Sequence, residues 1–187
     1  MKVGRLIARV TVGALFVGHG TQKWFGWFGG PGLDGASGMM ESLGLRPGRR
    51  NALGASASEA VGGAMLAAGA LTPVAAATLI GTMITAVRTV HLKNGPWATD
   101  GGYEYNLVLI ALLLALVDGG PGKLSVDGAL GIHDTGGGWA LAALAAGAVG
   151  STLVIEAGHR QPPAAPASAS HEQSAPEPVA GAVNGAA

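Results

Sequence analysis

The sequence contains no cysteine, and this absence removes several kinds of chemistry at once. Disulfide bonds, thiol–disulfide relays and thiolate-bound metals all need a sulfur that the chain does not have. Charged residues are also scarce, at 12% of the chain, and the formal net charge is zero. Nucleic-acid-binding proteins carry a basic surface, which this composition does not supply. The sequence therefore excludes thiol chemistry and argues against a nucleic-acid partner.

What the chain has instead is apolar and small residues. Hydrophobic residues make up 49% of its 187 residues, and 33 residues are glycine. So apolar a composition is unusual for a soluble domain and is typical of a membrane protein. Abundant glycine and alanine suit helices that pack closely in lipid. We therefore predict an all-α membrane protein.

Five apolar segments are candidates for membrane-spanning helices, which need about 20 residues to cross a hydrocarbon core of about 30 Å. The last stretch, 161–187, is rich in proline, alanine and serine without an apolar period, which predicts disorder. The predicted fold is a four-helix transmembrane bundle followed by a fifth C-terminal transmembrane helix and a disordered tail. The five spans are predicted at about 4–24, 52–71, 74–90, 104–117 and 139–155.

This pattern divides the chain into three parts. Residues 1–126 form the four-helix bundle, 127–160 form a linker and the fifth apolar helix, and 161–187 form the tail. Positively charged residues at the N-terminus and in the two polar loops give opposing signals under the positive-inside rule. The sequence therefore predicts no orientation in the membrane.

The stretch GHGTQKWFGWFGG, residues 18–30, closes the first span with a polar group followed by aromatic residues. His19, Gln22 and Lys23 are spaced so that they share one face of a continued helix. The tryptophans and phenylalanines that follow are typical of a membrane–water boundary, and we interpret them as an aromatic belt. The polar triplet is then either an anchor or part of a site.

Polar residues converge on one end of the predicted bundle. The loops 26–51 and 92–105 follow the first and third spans, so they lie on the same side of the membrane. Glu59 lies deeper, inside the second span. The polar residues assigned to the loop end are His19, Gln22, Lys23, Arg88, His91, Glu104 and Asn106.

Glu59 is the strongest single signal for function. A carboxylate inside a membrane costs several kcal/mol unless it is paired or neutral, and such residues usually serve a function. The alternative is a structural ion pair with Lys23 or Arg88. We predict that Glu59, Lys23 and His91 form the catalytic group, in a pocket open to the loop end. The remaining polar residues of that end, His19, Gln22, Arg88, Glu104 and Asn106, are then candidates for cofactor binding.

His19 and His91 are the residues that could bind a metal or haem, since neutral imidazole is the commonest metal ligand. Neither lies in a ligand-spacing motif, so we predict no metal site. The two histidines could instead form hydrogen bonds to the loop backbone or to a quinone. The cofactor stays open, with quinone favoured over haem.

Several motifs in order resemble one known family. HGTQKWFGWFGGPGLDG, the span around Glu59, TVHLKNGPWAT and GGYEYNLVL closely resemble the DoxX family of bacterial integral membrane proteins, over about residues 3–126. The resemblance implies a compact four-helix membrane bundle in a redox setting, such as the membrane subunit of an archaeal thiosulfate:quinone oxidoreductase. It also implies a polar signature at His19, Gln22, Lys23, Glu59, His91, Glu104 and Asn106.

The functional expectation is a multi-pass protein of the bacterial plasma membrane. We predict a quinone-linked subunit or component of a membrane redox complex that handles oxidative stress or oxidises sulfur compounds. Its predicted partners are the lipid bilayer, quinone and a redox protein. One alternative is a non-enzymatic scaffold that docks a soluble redox enzyme. Another is a small-solute transporter, which a buried glutamate would suit, although no inverted repeat is evident.

Overall fold

A computed structural model describes residues 3–162, and the regular secondary structure in this part of the chain is all helical, without a strand. The all-α prediction is confirmed for these residues. The tail predicted as disordered lies almost wholly outside them, in residues 163–187. The α-helices in the described part are α1 Val3–Phe25, α2 Gly32–Ser42, α3 Gly48–Ala68, α4 Thr72–Ala86, α5 Glu104–Gly119, α6 Val126–Leu130 and α7 Gly137–His159.

Five of these helices, α1, α3, α4, α5 and α7, correspond to the five apolar segments of the sequence. The helix α2 forms within the first polar loop, residues 26–51. The helix α6 covers the start of the segment interpreted as a linker, 127–160, where no helix was predicted from the sequence. Ser125 caps α6 by accepting a hydrogen bond from the backbone nitrogen of Gly128 at 3.0 Å, which stabilises so short a helix.

The connection between α3 and α4 shows why these two helices lie side by side. Gly69 ends α3 in the left-handed conformation, with φ 65°, which glycine adopts at little cost. Pro73 stands in the first turn of α4, where its missing backbone donor is not needed. Only three residues separate the helices, so α4 returns antiparallel to α3.

The helix α4 does not stop at Ala86. It continues as a π-helical turn over Val87–His91 and a 3₁₀ turn over Leu92–Asn94. The whole segment Thr72–Asn94 is 23 residues long and apolar enough to cross a membrane, as is α7. These two are the candidate spans by length and apolarity in residues 3–162.

The other long helices are too polar or too short to count as candidate spans by length and apolarity, for reasons visible in their sequences. The helix α1 carries Arg5, Arg9 and Lys23, and α3 is rich in glycine, alanine and serine. The helix α5 has 16 residues, which amounts to about 24 Å. The count of four spans plus one therefore stays a prediction.

Close helix pairs hold the bundle together: α1 packs on α3, and α7 packs on α4 and α5. At Gly13 of α1, an added Cβ would lie 2.5 Å from the carbonyl oxygen of Gly63 on α3. At Gly147 of α7, it would lie 2.9 Å from the carbonyl oxygen of Ala77 on α4. Small residues thus let the backbones touch, and α7 packs directly on helices of the first 126 residues. The division into domains itself stays a prediction.

Candidate functional site

An ion pair joins the first and second long helices. The Nζ of Lys23, near the end of α1, donates to the Oε2 of Glu59, in the middle of α3. Glu59 is 3% exposed, and the Lys23 side chain is 21% exposed. The close approach of Gly20 to the backbone of Ser56 and Ala60 brings the helices near enough for this contact. A buried carboxylate is tolerated when such a partner balances its charge.

The pair lies in the wall of a cavity of about 950 Å³. The cavity runs between α3 and α7, with α4 as its floor, and α2 and the turn at residues 43–47 line its loop end. Alanine, glycine, leucine and valine make up much of the lining. A volume of this size, mostly apolar with a few polar groups at one place, is typical of a small-molecule site.

A row of four threonines on α4 and its π-helical extension forms the cavity floor. Each hydroxyl donates to a carbonyl oxygen four residues earlier on the same helix, at 2.8 to 3.2 Å. The sequence analysis missed this row, although its spacing of four, three and four residues places it on one helix face. The residues are Thr78, Thr82, Thr85 and Thr89.

Two hydrogen bonds connect α4 and its extension to α7, the opposite wall. The Oγ1 of Thr85 lies 3.0 Å from the Oγ of buried Ser151, and because Thr85 gives its own hydrogen to Gly81, Ser151 is the donor in this contact. Arg88 donates from Nη1 to the Oγ1 of Thr152, also at 3.0 Å. Arg88, predicted to bind a cofactor, is therefore engaged with α7. Ser151 gave no signal in the sequence that set it apart from other serines.

His91 lies in the π-helical turn, away from the ion pair. Its Nδ1 is 2.7 Å from the carbonyl oxygen of Gly101, in the following loop. In the described part of the chain, no hydrogen bond or ion pair connects His91 to Lys23 or Glu59, and His91 does not line the cavity. The structure thus joins two members of the predicted catalytic group. The catalytic role of all three stays a prediction.

The remaining predicted residues make local contacts at the same end of the bundle. The Nδ1 of exposed His19 lies 3.1 Å from the Oε1 of Gln22, one turn later on α1. Asn106 is buried, and its Nδ2 lies 3.4 Å from the sulfur of Met83. Glu104 is partly exposed at the first residue of α5. None of these residues lines the cavity, and their role in cofactor binding stays a prediction.

A second buried polar group lies at the opposite end of the bundle, and it was not predicted from the sequence. Asp127 of α6 is 2% exposed and accepts hydrogen bonds from the backbone nitrogens of Leu71 and Thr72, at 2.7 and 3.0 Å. Asp127 therefore caps the start of α4 from outside that helix.

Arg9 reinforces the same end. It is 2% exposed, and its Nη2 donates to the carbonyl oxygen of Leu124 at 2.7 Å, while Arg5 donates to the carbonyl oxygen of Gly119. These arginines fasten the loop between α5 and α6 rather than reaching a lipid surface. Within residues 3–162, no three histidine, aspartate or glutamate side chains come together as metal ligands would.

Comparison with known proteins places the chain in a family. The profile of the DoxX family matches residues 4–92. Over 115 residues the chain is 30% identical to a Bacillus subtilis (strain 168) protein named "Putative oxidoreductase CatD", covering 62% of this chain and 79% of that protein. The chain belongs to the DoxX family.

The DoxX match includes α1, α3 and α4, and so it contains Lys23, Glu59 and His91. No solved structure matches the chain. The family is membrane-associated, in agreement with the two candidate spans. Together with the oxidoreductase name of the relative, this supports a membrane protein associated with redox chemistry. The helix α7, which walls the cavity, lies beyond the profile match.

Proposed function

We propose that this DoxX protein is a quinone-linked subunit of a membrane redox complex, in the bacterial plasma membrane, with the five long helices as its spans. The observation that supports the proposal is the Lys23–Glu59 ion pair in the wall of a largely apolar cavity. A quinone has a long apolar tail and a head group with two carbonyl oxygens. The cavity offers apolar volume for the tail and a charged hydrogen-bond donor for the head group.

The chemistry of the pair suits that occupant. A bound quinone supplies the redox chemistry, accepting two electrons and two protons as it is reduced. Lys23 has three N–H donors, so it can hydrogen-bond a carbonyl oxygen while it still donates to Glu59. Glu59, held beside the ammonium group, can accept and pass on a proton. The electrons come from a partner redox protein at the membrane surface.

His91 takes a separate part in this proposal. It is partly exposed and hydrogen-bonds to Gly101 at the loop end. From that position His91 would transfer protons between the bundle and water, and it would not contact the quinone head group directly.

The second candidate function is a scaffold that docks a soluble redox enzyme without binding a quinone. Exposed aromatic rings at the loop end favour it. Trp27 is 57% exposed, Phe28 77% and Trp97 64%, and the ring centroids of Phe25 and Trp27 are 5.3 Å apart. Aromatic surfaces of this kind occur both at protein interfaces and at membrane boundaries.

Quinone binding to the purified full chain separates these functions. A short-tailed quinone is titrated into the protein in detergent while tryptophan fluorescence is recorded, since Trp139 lines the cavity. We expect saturable quenching in the wild type and binding about tenfold weaker in Glu59→Gln, corresponding to about 1.4 kcal/mol. Glu156→Gln, an exposed position outside the cavity lining, is the control and should bind as the wild type does.

The outcome for the wild type decides between the two candidates. Absence of saturable binding, together with retention of a soluble redox protein on the immobilised chain, supports the scaffold. Equal quinone affinity for Glu59→Gln and the wild type would mean that the ion pair is structural only.

A further inference from the structure

We infer that the loop end of the cavity binds the head group of an anionic phospholipid from the surrounding bilayer. Four charged residues line the cavity: Lys23, Arg46, Arg50 and Glu59. Lys23 and Glu59 balance one another in their ion pair. Arg46 forms an ion pair with Glu41 at 3.6 Å, and Arg50 has no ion-pair partner in residues 3–162, so positive charge exceeds negative charge at this end of an apolar cavity. This excess is the charge complement of a lipid phosphate.

Arg46, in the turn between α2 and α3, retains donor capacity. Its Nε is 3.6 Å from the Oε2 of Glu41, which is beyond hydrogen-bonding distance. The other oxygen of Glu41 already accepts from the backbone nitrogen of Gly48 at 2.5 Å. Within residues 3–162, the Arg46 Nε is buried without a hydrogen-bond partner. The terminal nitrogens of its guanidinium group are the donors that a phosphate at the cavity end would use.

Arg50 provides the second cation. It is exposed in the first turn of α3 and forms no ion pair with any residue of the described part. Its neighbour Arg49 differs, because it pairs with Asp34 at 3.2 Å and does not line the cavity. The two adjacent arginines therefore have distinct surroundings, and only Arg50 belongs to the proposed site.

The rest of the cavity suits an acyl chain. Its lining extends along α4 from Pro73 to Val90, about 26 Å at the rise of an α-helix. Val74 and Leu153 border the cavity and are 56% and 65% exposed, so the groove is open on its side to the bilayer. A free phosphate ion would make no use of this apolar length. A phospholipid uses both the arginines and the groove.

Lipid binding does not depend on the proposed quinone function, although both occupants would use the same cavity. An anionic lipid in the groove would compete with quinone for the volume beside the ion pair. The lipid composition of the membrane would then regulate access to that pair.

The test uses the full chain in detergent and native mass spectrometry with phosphatidylglycerol and phosphatidylcholine as probes. We expect the wild type to retain phosphatidylglycerol preferentially. Arg50→Gln and Arg46→Gln should each weaken that retention about tenfold, as for loss of a charge-assisted hydrogen bond, and leave phosphatidylcholine unchanged. Arg49→Gln removes the same charge one residue away and should behave as the wild type does.

Three results would overturn the inference. One is equal retention of the two lipids by the wild type. Another is an equal effect of Arg49→Gln and Arg50→Gln, which indicates attraction to surface charge in general. The third is displacement of the lipid by inorganic phosphate, which indicates an ion site. Glu59→Gln should retain phosphatidylglycerol, so loss of its quinone binding alone contradicts neither the lipid site nor its arginines.

Discussion

Lys23 and Glu59 form an ion pair across the α1–α3 contact, although 36 residues separate them in the sequence. A second ion pair, between Asp34 and Arg49, connects α2 to α3, but its side chains are 95% and 66% exposed. The two pairs allow a comparison within one molecule. Water screens the exposed pair, whereas the buried Glu59 depends on its lysine partner.

The first prediction is a double-mutant cycle on the buried pair. Glu59→Ala and Lys23→Ala should each destabilise the folded chain by about 3 kcal/mol, because each strands a charge away from water. The double variant should cost less than the sum, since it strands neither. Unfolding in detergent measures all three variants.

The exposed pair is the control for this cycle. Asp34→Ala and Arg49→Ala should leave the unfolding transition unchanged within error. Strictly additive effects at positions 23 and 59 would contradict a coupled pair.

The second prediction concerns the contact of α1 with α3. Gly13→Ala should lower the free energy of unfolding by about 1–3 kcal/mol, since its Cβ would press on the Gly63 carbonyl. Gly18→Ala, on the same helix with no neighbouring atom within 4 Å, should instead stabilise by up to about 1 kcal/mol. Thermal unfolding of the two variants is the measurement, and shifts in the same direction would show that the helices are not in close contact at Gly13.

The third prediction concerns the cap that α6 provides to α4. Asp127→Ala leaves the backbone nitrogens of Leu71 and Thr72 without their acceptor, so it should destabilise by about 2–4 kcal/mol. Asp118→Ala, at an exposed position, should have little effect. Chemical denaturation measures the free energy of unfolding of the two variants. Equal stability of the two variants would mean that water replaces the carboxylate.

The fourth prediction concerns topology. The chain has no native cysteine, so a single introduced cysteine is the only site that a maleimide can label. If all five long helices span the bilayer, Ser37→Cys and Thr99→Cys should react with an impermeant maleimide from the same side, and His133→Cys from the opposite side. Labelling of positions 37 and 99 from opposite sides would contradict the order of the spans.

The sequence predicts the helices well because apolar runs and turn residues are local signals. The fourth apolar segment, for example, was predicted to begin at residue 104, and α5 begins at Glu104. Two partners were predicted for Glu59, Lys23 and Arg88, and the packing of α1 on α3 brings Lys23 to it. Arg88, the other, bonds to Thr152 of α7, a helix whose packing position no local pattern reveals.

The rest of the candidate site depends on features with no sequence signature. Arg88 and His91 are three residues apart, a spacing that gives a shared face in an α-helix. The π-helical turn widens the helix at this point, so Arg88 contacts α7 and His91 contacts the loop at Gly101. Asp127 was missed for a similar reason, since it acts on residues 55 and 56 positions earlier in the chain.

The threonine row on α4 has a consequence for how any amphiphile lies in the cavity. Because Thr78, Thr82, Thr85 and Thr89 donate their hydroxyl hydrogens to their own helix, this floor presents oxygens that only accept. A carbonyl or phosphate oxygen lying there would lose its hydrogen bonds to water and gain none. The charged donors toward such oxygens, Lys23, Arg46 and Arg50, are all at the loop end. The charge of the cavity is therefore polarised along its length, and an amphiphile bound there would lie with its head group at the loops and its chain along α4.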